Sequence, residues 1–303
     1  MYNNIAFLID GVIAGSDIIM MRSVDASPNI FSVTFFFKIS TMLKKGLLLL
    51  ACFISLYGFS QQNKKWKLAW SDEFNYKGLP DSTKWNYDVG GHGWGNHELE
   101  YYTQKRIENA RVENGQLIIE ARKEDFEGMK YTSARLITKG KGDWQYGKIE
   151  VKAKLPKGKG TWPAIWMLGS TEPLQWPDDG EIDIMEHVGF HQGFIHGSIH
   201  CKKYYHVIHT QKTDTIQVPD CSEKFHVYGL EWNKDSIKIS VDNKVYFSFA
   251  NEHTGYDAWP FDNKMHLLLN IAVGGDWGGQ KGVDENIWPQ KMLIDYVRVY
   301  QVK

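Results

Sequence analysis

"SIKISVDNKVYFSF", residues 236–249, alternates Ile237, Ile239 and Val241 with Ser236, Lys238 and Ser240, breaks at Asp242 and Asn243, then resumes with Val245, Phe247 and Phe249. A period of two sends successive side chains to opposite faces of a strand. Asp and Asn tolerate the positive φ of a two-residue hairpin turn. The stretch therefore predicts an antiparallel hairpin with one apolar and one wet face. "KIEVKAKL", residues 148–155, alternates in the same way, and "QLIIEA", "RLITK", "HVYGLEW", "HLLLNIAV" and "LIDYVRVY" are further strand candidates set apart by Gly, Asn, Asp and Pro. No amphipathic helix of ordinary length, internal repeat or low-complexity linker interrupts them. The expected fold is all-β: a single antiparallel sandwich of roughly 240 residues.

The 303 residues carry a net charge of −1, which leaves no electrostatic footprint for nucleic acid or an anionic membrane. Aromatic residues are abundant, with 12 Trp, 15 Tyr and 15 Phe, and every Trp falls between Trp66 and Trp288. Such rings fill a β core or offer flat apolar faces to planar ligands. Residues 42–62, "MLKKGLLLLACFISLYGFSQQ", place two lysines before an apolar run from Leu47 to Phe59 and small residues at Gly58 and Ser60. This is the pattern of a secretory signal over 42–60, with a run far short of the ~20 residues that span a bilayer. Met42 is then the expected true start, residues 1–41 a non-native extension, and 61–303 the exported domain. Export leaves Cys201 and Cys221 as a pair in an oxidising compartment, either bridged or as two half-buried thiols.

"GEIDIMEHVG", residues 180–189, sets Glu181, Asp183 and Glu186 among Ile182, Ile184 and Met185. In a regular strand Glu181 and Asp183 share a face, whereas Glu186 points to the other. A β-bulge across Ile184 and Met185 returns Glu186 to the shared face. The two Glu Cα atoms then lie about four strand steps apart, ~13 Å. Side chains leaning together leave ~5 Å between the carboxyls, the spacing of a retaining glycosidase in which one attacks the sugar and the other protonates the leaving oxygen. Asp183 between them biases where the shared proton resides. A surface calcium site and a charged edge strand also accommodate three acids. The apolar intervening residues speak for a central strand.

The flanking residues go further. "WPDDGEIDIMEHVG" resembles the active-site signature of glycoside hydrolase family 16 in its bulged form. "WSDEF", "GWGNHELEYYT", "YGKIEVKAKLPKGKGTWPAIWML", "NIAVGGDWGG" and "LIDYVRVY" are similar, in the same order, to blocks of that family's bacterial laminarinases, endo-β-1,3-glucanases, over residues 66–303. The resemblance implies a jelly-roll sandwich of two curved antiparallel sheets with the sugar chain in a concave cleft. It makes Glu181 the nucleophile, Glu186 the acid/base and Asp183 their assistant, with polysaccharide as substrate, no organic cofactor and action as a secreted monomer. The extra Met185 argues against the unbulged lichenase and xyloglucan types, and agarase- and carrageenase-like relatives are the nearest competitors. A non-catalytic glucan-binding module on the same fold is the reading from another class, although such relatives generally lack the catalytic glutamates.

By the same resemblance Asn96 and Arg135 hydrogen-bond glucose units on the non-reducing side, where the plain reading is a turn Asn and a strand-surface Arg. Trp162, Trp166 and Trp176 are sugar platforms or core aromatics. His200 bonds the substrate or the acid/base, or is a satisfied structural His, and Asn270 and Trp277 border the cleft. Asp276 stands where relatives often carry Asn. Glu73, the Gly115 carbonyl and Asp295 match a structural calcium site that would tie the termini together; without the resemblance the two acids are ordinary surface residues.

Overall fold

A computed structural model describes residues 66–302 and, N-terminal to them, only the backbone of an antiparallel pair, Ile18–Ile19 with Phe37–Lys38. The expected leader at 42–60 and the rest of the 1–41 extension lie outside the described residues. Residues 64–303 form a compact unit by themselves.

That unit is built from two sheets. The larger runs in the order Lys244–Ala250, Ser236–Val241, His226–Trp232, Gly147–Lys154, Gln290–Val302, Gln116–Phe126, Met129–Ser133 and Glu100–Tyr102. Trp66–Asp72 joins it on Gln290–Val302, and Ala110–Glu113 on Gln116–Phe126. The smaller runs Lys212–Gln217, Phe194–His200, Glu181–Glu186, Thr161–Gly169, Met265–Val273, Arg135–Ile137 and Asn86–Asp88, with Asp143–Trp144 added on Met265–Val273. Helix among the described residues is confined to two short 3-10 turns, Gly93–Gly95 and His206–Ile208. This is the jelly-roll sandwich expected, with one departure from a purely antiparallel design. Glu100–Tyr102 pairs in parallel with Met129–Ser133, which a long connection between the two segments permits and a tight hairpin would not.

The period-two readings translate into burial except at Val245, which is 52 % exposed because a register shift between Ile239 and Ser240 turns it outward. Ile149, Val151 and Ala153 are buried while Lys148, Glu150, Lys152 and Lys154 are half-exposed. The buried set joins one apolar cluster with Ile165, Met167, Ile182, Ile199, Leu267 and Leu269 of the smaller sheet. Burying one such side chain is worth about 1.5–3 kcal/mol. The hairpin at 236–250 closes through Val241 opposite Lys244, with Asp242 and Asn243 at φ 48° and 65°. Met265–Val273 is buried along its whole length. Its outward Leu268 forms a second small cluster with Ile137 and Leu168, under Trp166 and Leu174.

The disulfide expected as one alternative is not formed: Cys201 and Cys221 are both buried free thiols. Each has its own surroundings. Cys201 Sγ faces the Ala258 carbonyl at 3.6 Å, and Cys221 Sγ lies 3.5 Å from Gln192 Nε2. Burial raises both thiol pKa values, which keeps them protonated and inert.

Candidate active site

The bulge decides where the carboxylates point. Glu181, Asp183 and Glu186 stand opposite Leu168, Trp166 and Ala164 on one neighbouring strand, and opposite His200, Ser198 and His196 on the other. Those partners are spaced by two, so all three acids occupy one face. Ile182 and Met185 pair with Met167 and Ile165, the inward set. The extra residue is Ile184 rather than the expected Met185, which pairs with Ile165, and both are fully buried in the core. On the far strand the two bulged residues face Gly197 alone. A Cβ there would come within 2.7 Å of Tyr246 Oη, the hydroxyl that in turn lies 3.4 Å from the Ile184 carbonyl. The missing side chain makes room for a tyrosine of the other sheet behind the bulge.

Two indoles hold the outer acids. Trp162 Nε1 donates to Glu186 Oε1 at 3.0 Å, and Trp176 Nε1 donates to Glu181 Oε2 at 2.8 Å. Asp183, 2 % exposed, lies beneath them with His200 Nε2 3.3 Å from its Oδ2 and 3.8 Å from Glu181 Oε1. Burial, then the charges of Asp183 and Glu181, push the Glu186 pKa well above the ordinary carboxylate range; the Trp162 N–H and His200 pull against them. Burial, then Glu181, likewise lifts Asp183 well above its usual value. Two acids with raised pKa values and a third carboxyl on one face have the makings of acid and nucleophile chemistry.

The expected sugar-contacting residues gather around this cluster. Trp162 and Trp166 are half-buried and Trp176 is 41 % exposed, so none of the three belongs to the core cluster. Arg135 stacks its guanidinium on Trp94 and Trp166, 4.7 and 4.6 Å from the ring centres, and its Nε sits 2.9 Å from Asp88. Trp166 Nε1 donates to Asn270 Oδ1 at 2.8 Å. Trp277 packs edge-on against Trp162 and His196. Asn96 holds this end of the face together: its Nδ2 donates to Glu98, and its carbonyl accepts the Asp276 N–H. Asp276 binds His97 Nδ1 at 2.9 Å, so its carboxylate ties two loops. His200 faces Asp183 and Glu181 rather than Glu186, which places it with the nucleophile side of the cluster.

Several site residues escaped the sequence reading. His206 and Tyr205 pack against Trp176, and His206 also against His200, as a wall beside Glu181. His196 is the cross-strand neighbour of Glu186, a position legible only once the bulge register is known. Glu98 and Tyr102 lie in the quoted "GWGNHELEYYT" block, where alternation alone would make them a strand's wet face.

The three residues expected at a calcium site lie in or next to strands of the larger sheet, away from this face. Glu73 takes a two-pronged bond from Arg298 at 2.9 and 2.8 Å, which lowers its pKa, and Asp295 Oδ2 pairs with Lys152 at 2.8 Å. Gly115, at φ 73°, forms the turn into Gln116–Phe126.

Comparison with known proteins agrees with this geometry. The family model for glycosyl hydrolases family 16 matches residues 97–298. A beta-glucanase of Rhodothermus marinus is 52% identical over 276 residues, 87% of this chain and 96% of that one. The X-ray structure of the laminarinase from Rhodothermus marinus superposes with a TM-score of 0.77 at 55% identity, covering 78% of this chain and 98% of that chain. A variant of SCLam, a non-specific endo-β-1,3(4)-glucanase with a 1,3-β-D-cellobiosyl-glucose at its active site, superposes with a TM-score of 0.76 at 52% identity over 78% of this chain and 95% of that one. A bulged carboxylate triad on the outward face of a jelly-roll sheet, matched in sequence over most of the sandwich, identifies the chain as a member of family 16 of the glycosyl hydrolases.

Proposed function

We propose that the protein is a retaining endo-hydrolase of internal β-1,3 bonds in laminarin-type glucans. The observation that carries this is the register of Glu181, Asp183 and Glu186 on one face between indole donors, together with relatives named for β-1,3-glucan cleavage. The raised pKa values of Glu186 and Asp183 make these two the proton holders of the cluster, which leaves Glu181 the nucleophile's part. Glu181 attacks the anomeric carbon, displacing the glycosidic oxygen as Glu186 delivers its proton there. Water then attacks the glycosyl-enzyme with Glu186 taking the proton back, which restores both groups. Asp183, whose acid form burial and the neighbouring Glu181 favour, keeps the charge from spreading over both acids. Trp162, Trp166, Trp176, Trp277, Asn96, Arg135, Asn270 and His200 line the sugar path.

Similarity to SCLam favours a second reading in which β-1,4 bonds of mixed-linkage glucan are also cut. Reducing-sugar release from laminarin, lichenan, agarose and carrageenan tests both. Product from laminarin with retained β-configuration by NMR is expected, product from lichenan extends the range, and release only from the galactans overturns the proposal. Export rests on the signal pattern at 42–60, and no described helix is long and apolar enough to cross a membrane. We also infer a calcium ion among Glu73, the Gly115 carbonyl and Asp295. An ionised carboxylate has about four lone-pair sites, so Arg298 and Lys152 do not exhaust the donors.

A further inference from the structure

From the outward face a chain of hydrogen bonds runs into the neighbouring 96–102 segment, and the chemistry above does not use it. Trp166 Nε1 donates to Asn270 Oδ1 at 2.8 Å, Asn270 Nδ2 to Tyr102 Oη at 3.0 Å, and Tyr102 Oη to Glu98 Oε2 at 3.0 Å. An indole N–H can only donate and an ionised carboxylate can only accept. The two ends therefore dictate which way every bond between them points. Asn96 Nδ2 adds a further donor, to Glu98 Oε1 at 3.1 Å. At the other end the Trp166 ring is covered by Arg135, whose guanidinium also lies on Trp94.

Glu98 has a second acid beside it. Glu100 is 0 % exposed and Glu98 7 %. One Glu100 oxygen accepts the Val273 N–H at 2.6 Å, and the other is buried with no hydrogen-bond partner, with the charge of Glu98 acting on it. Two charged carboxylates cannot share so dry a position. Both Glu98 oxygens already accept, so the proton belongs to Glu100, which donates it to Glu98. Burial, then Glu98, lifts the Glu100 pKa well above the ordinary range. Tyr102 in turn feels both acids and the Arg135 guanidinium.

We propose that Glu98 and Glu100 are positioning residues: an acid–carboxylate pair that fixes the direction of the chain through Tyr102 and Asn270 and so sets the pose of Trp166 against the bound glucan. The proposal rests on the reading of Trp166 and Asn270 as sugar-contacting. It separates two glutamates two positions apart in sequence. An amide at 100 still donates to Glu98 and still accepts the Val273 N–H. An amide at 98 cannot accept all three bonds now directed at it.

The test compares Glu98→Gln, Glu100→Gln and Tyr102→Phe on laminarin. Glu98→Gln should raise KM about tenfold with kcat within about threefold, the signature of lost uniform binding. Tyr102→Phe should do the same, and the double variant should be no worse than either single change, because both break one chain. Glu100→Gln, the conservative replacement that keeps the donated bond, should raise KM at least about fivefold less than Glu98→Gln does. The proposal is overturned if Glu100→Gln is as damaging as Glu98→Gln, if KM stays put in Tyr102→Phe, or if the two effects add. Tyr102→Phe carries the test should Glu98→Gln not fold. A substrate-free readout separates this from the glucanase reading. Between about pH 5 and about 9 the unfolded chain gives up the Glu100 proton that the folded protein holds, so the wild-type Tm should fall more than that of Glu100→Gln. Equal losses refute the shared proton, whereas a wild type inactive on laminarin refutes the substrate.

Discussion

Replacing Trp162 by Phe removes one N–H and keeps an aromatic ring beside Glu186. That N–H, 3.0 Å from Glu186 Oε1, stabilises the ionised carboxylate and opposes the burial and the neighbouring charges that favour its acid form. A hydrogen bond to a charged group is worth about 1.5–3 kcal/mol. At 1.36 kcal/mol per pKa unit this corresponds to about one to two units, and Glu186 is half-buried, so water takes back part of it. The Glu186 pKa in Trp162→Phe should therefore rise by about one unit. A general acid works only while protonated, so the basic limb of the kcat/KM profile, which reports the free enzyme, should move to higher pH by that amount. The assay is initial rates on laminarin across pH, reading the limb's midpoint rather than its height, because loss of a sugar contact lowers the height without moving the midpoint. A limb that stays in place, or moves to lower pH, would refute either the proton-donor role of Glu186 or the bond that holds it.

Glu181→Ala should lose nearly all turnover while still binding laminari-oligosaccharides by calorimetry; substantial residual hydrolysis would reassign the nucleophile. Calcium should raise Tm and a chelator lower it, by about 2.7 kcal/mol of added stability at a hundredfold excess over Kd, and a Tm indifferent to both would remove the metal from Glu73, Gly115 and Asp295. Cys201 and Cys221 should react with a thiol reagent only after unfolding, and reductant should leave Tm unchanged. A Tm drop on reduction would restore the disulfide.

The parts of this molecule legible in sequence were those governed by local periodicity. Alternation at 148–155 and 236–249 named the strands and their inward faces because a pleat leaves no other way to bury Ile149, Val151, Ile237 and Ile239. The bulge was legible for a related reason. Two consecutive apolar residues, Ile184 and Met185, both had to reach the core, and only an extra residue in the strand lets them do so while Glu186 turns outward. Pairings over long separations were not legible. Nothing in the positions of Cys201 and Cys221 reports the distance between them, and nothing near His200 says which of three acids it will face.

Glu98 and Glu100 show why that boundary falls where it does. Two acids spaced by two read as the wet side of a strand, and by propensity they belong in water. They are buried because the strand carrying Glu100 is covered by the Asn270–Gly275 segment, whose backbone supplies the Val273 N–H, and because Tyr102 and Asn96 satisfy Glu98. Each of those partners comes from a loop or strand whose place is set by the whole sandwich. The one local sign was chemical rather than periodic: a tyrosine and an asparagine flanking paired acids within seven residues, 96–102, offer the donors that buried carboxylates require. An acid pair sitting among its own donors is a signal that alternation cannot report, and it points to a site held from below as well as lined from above.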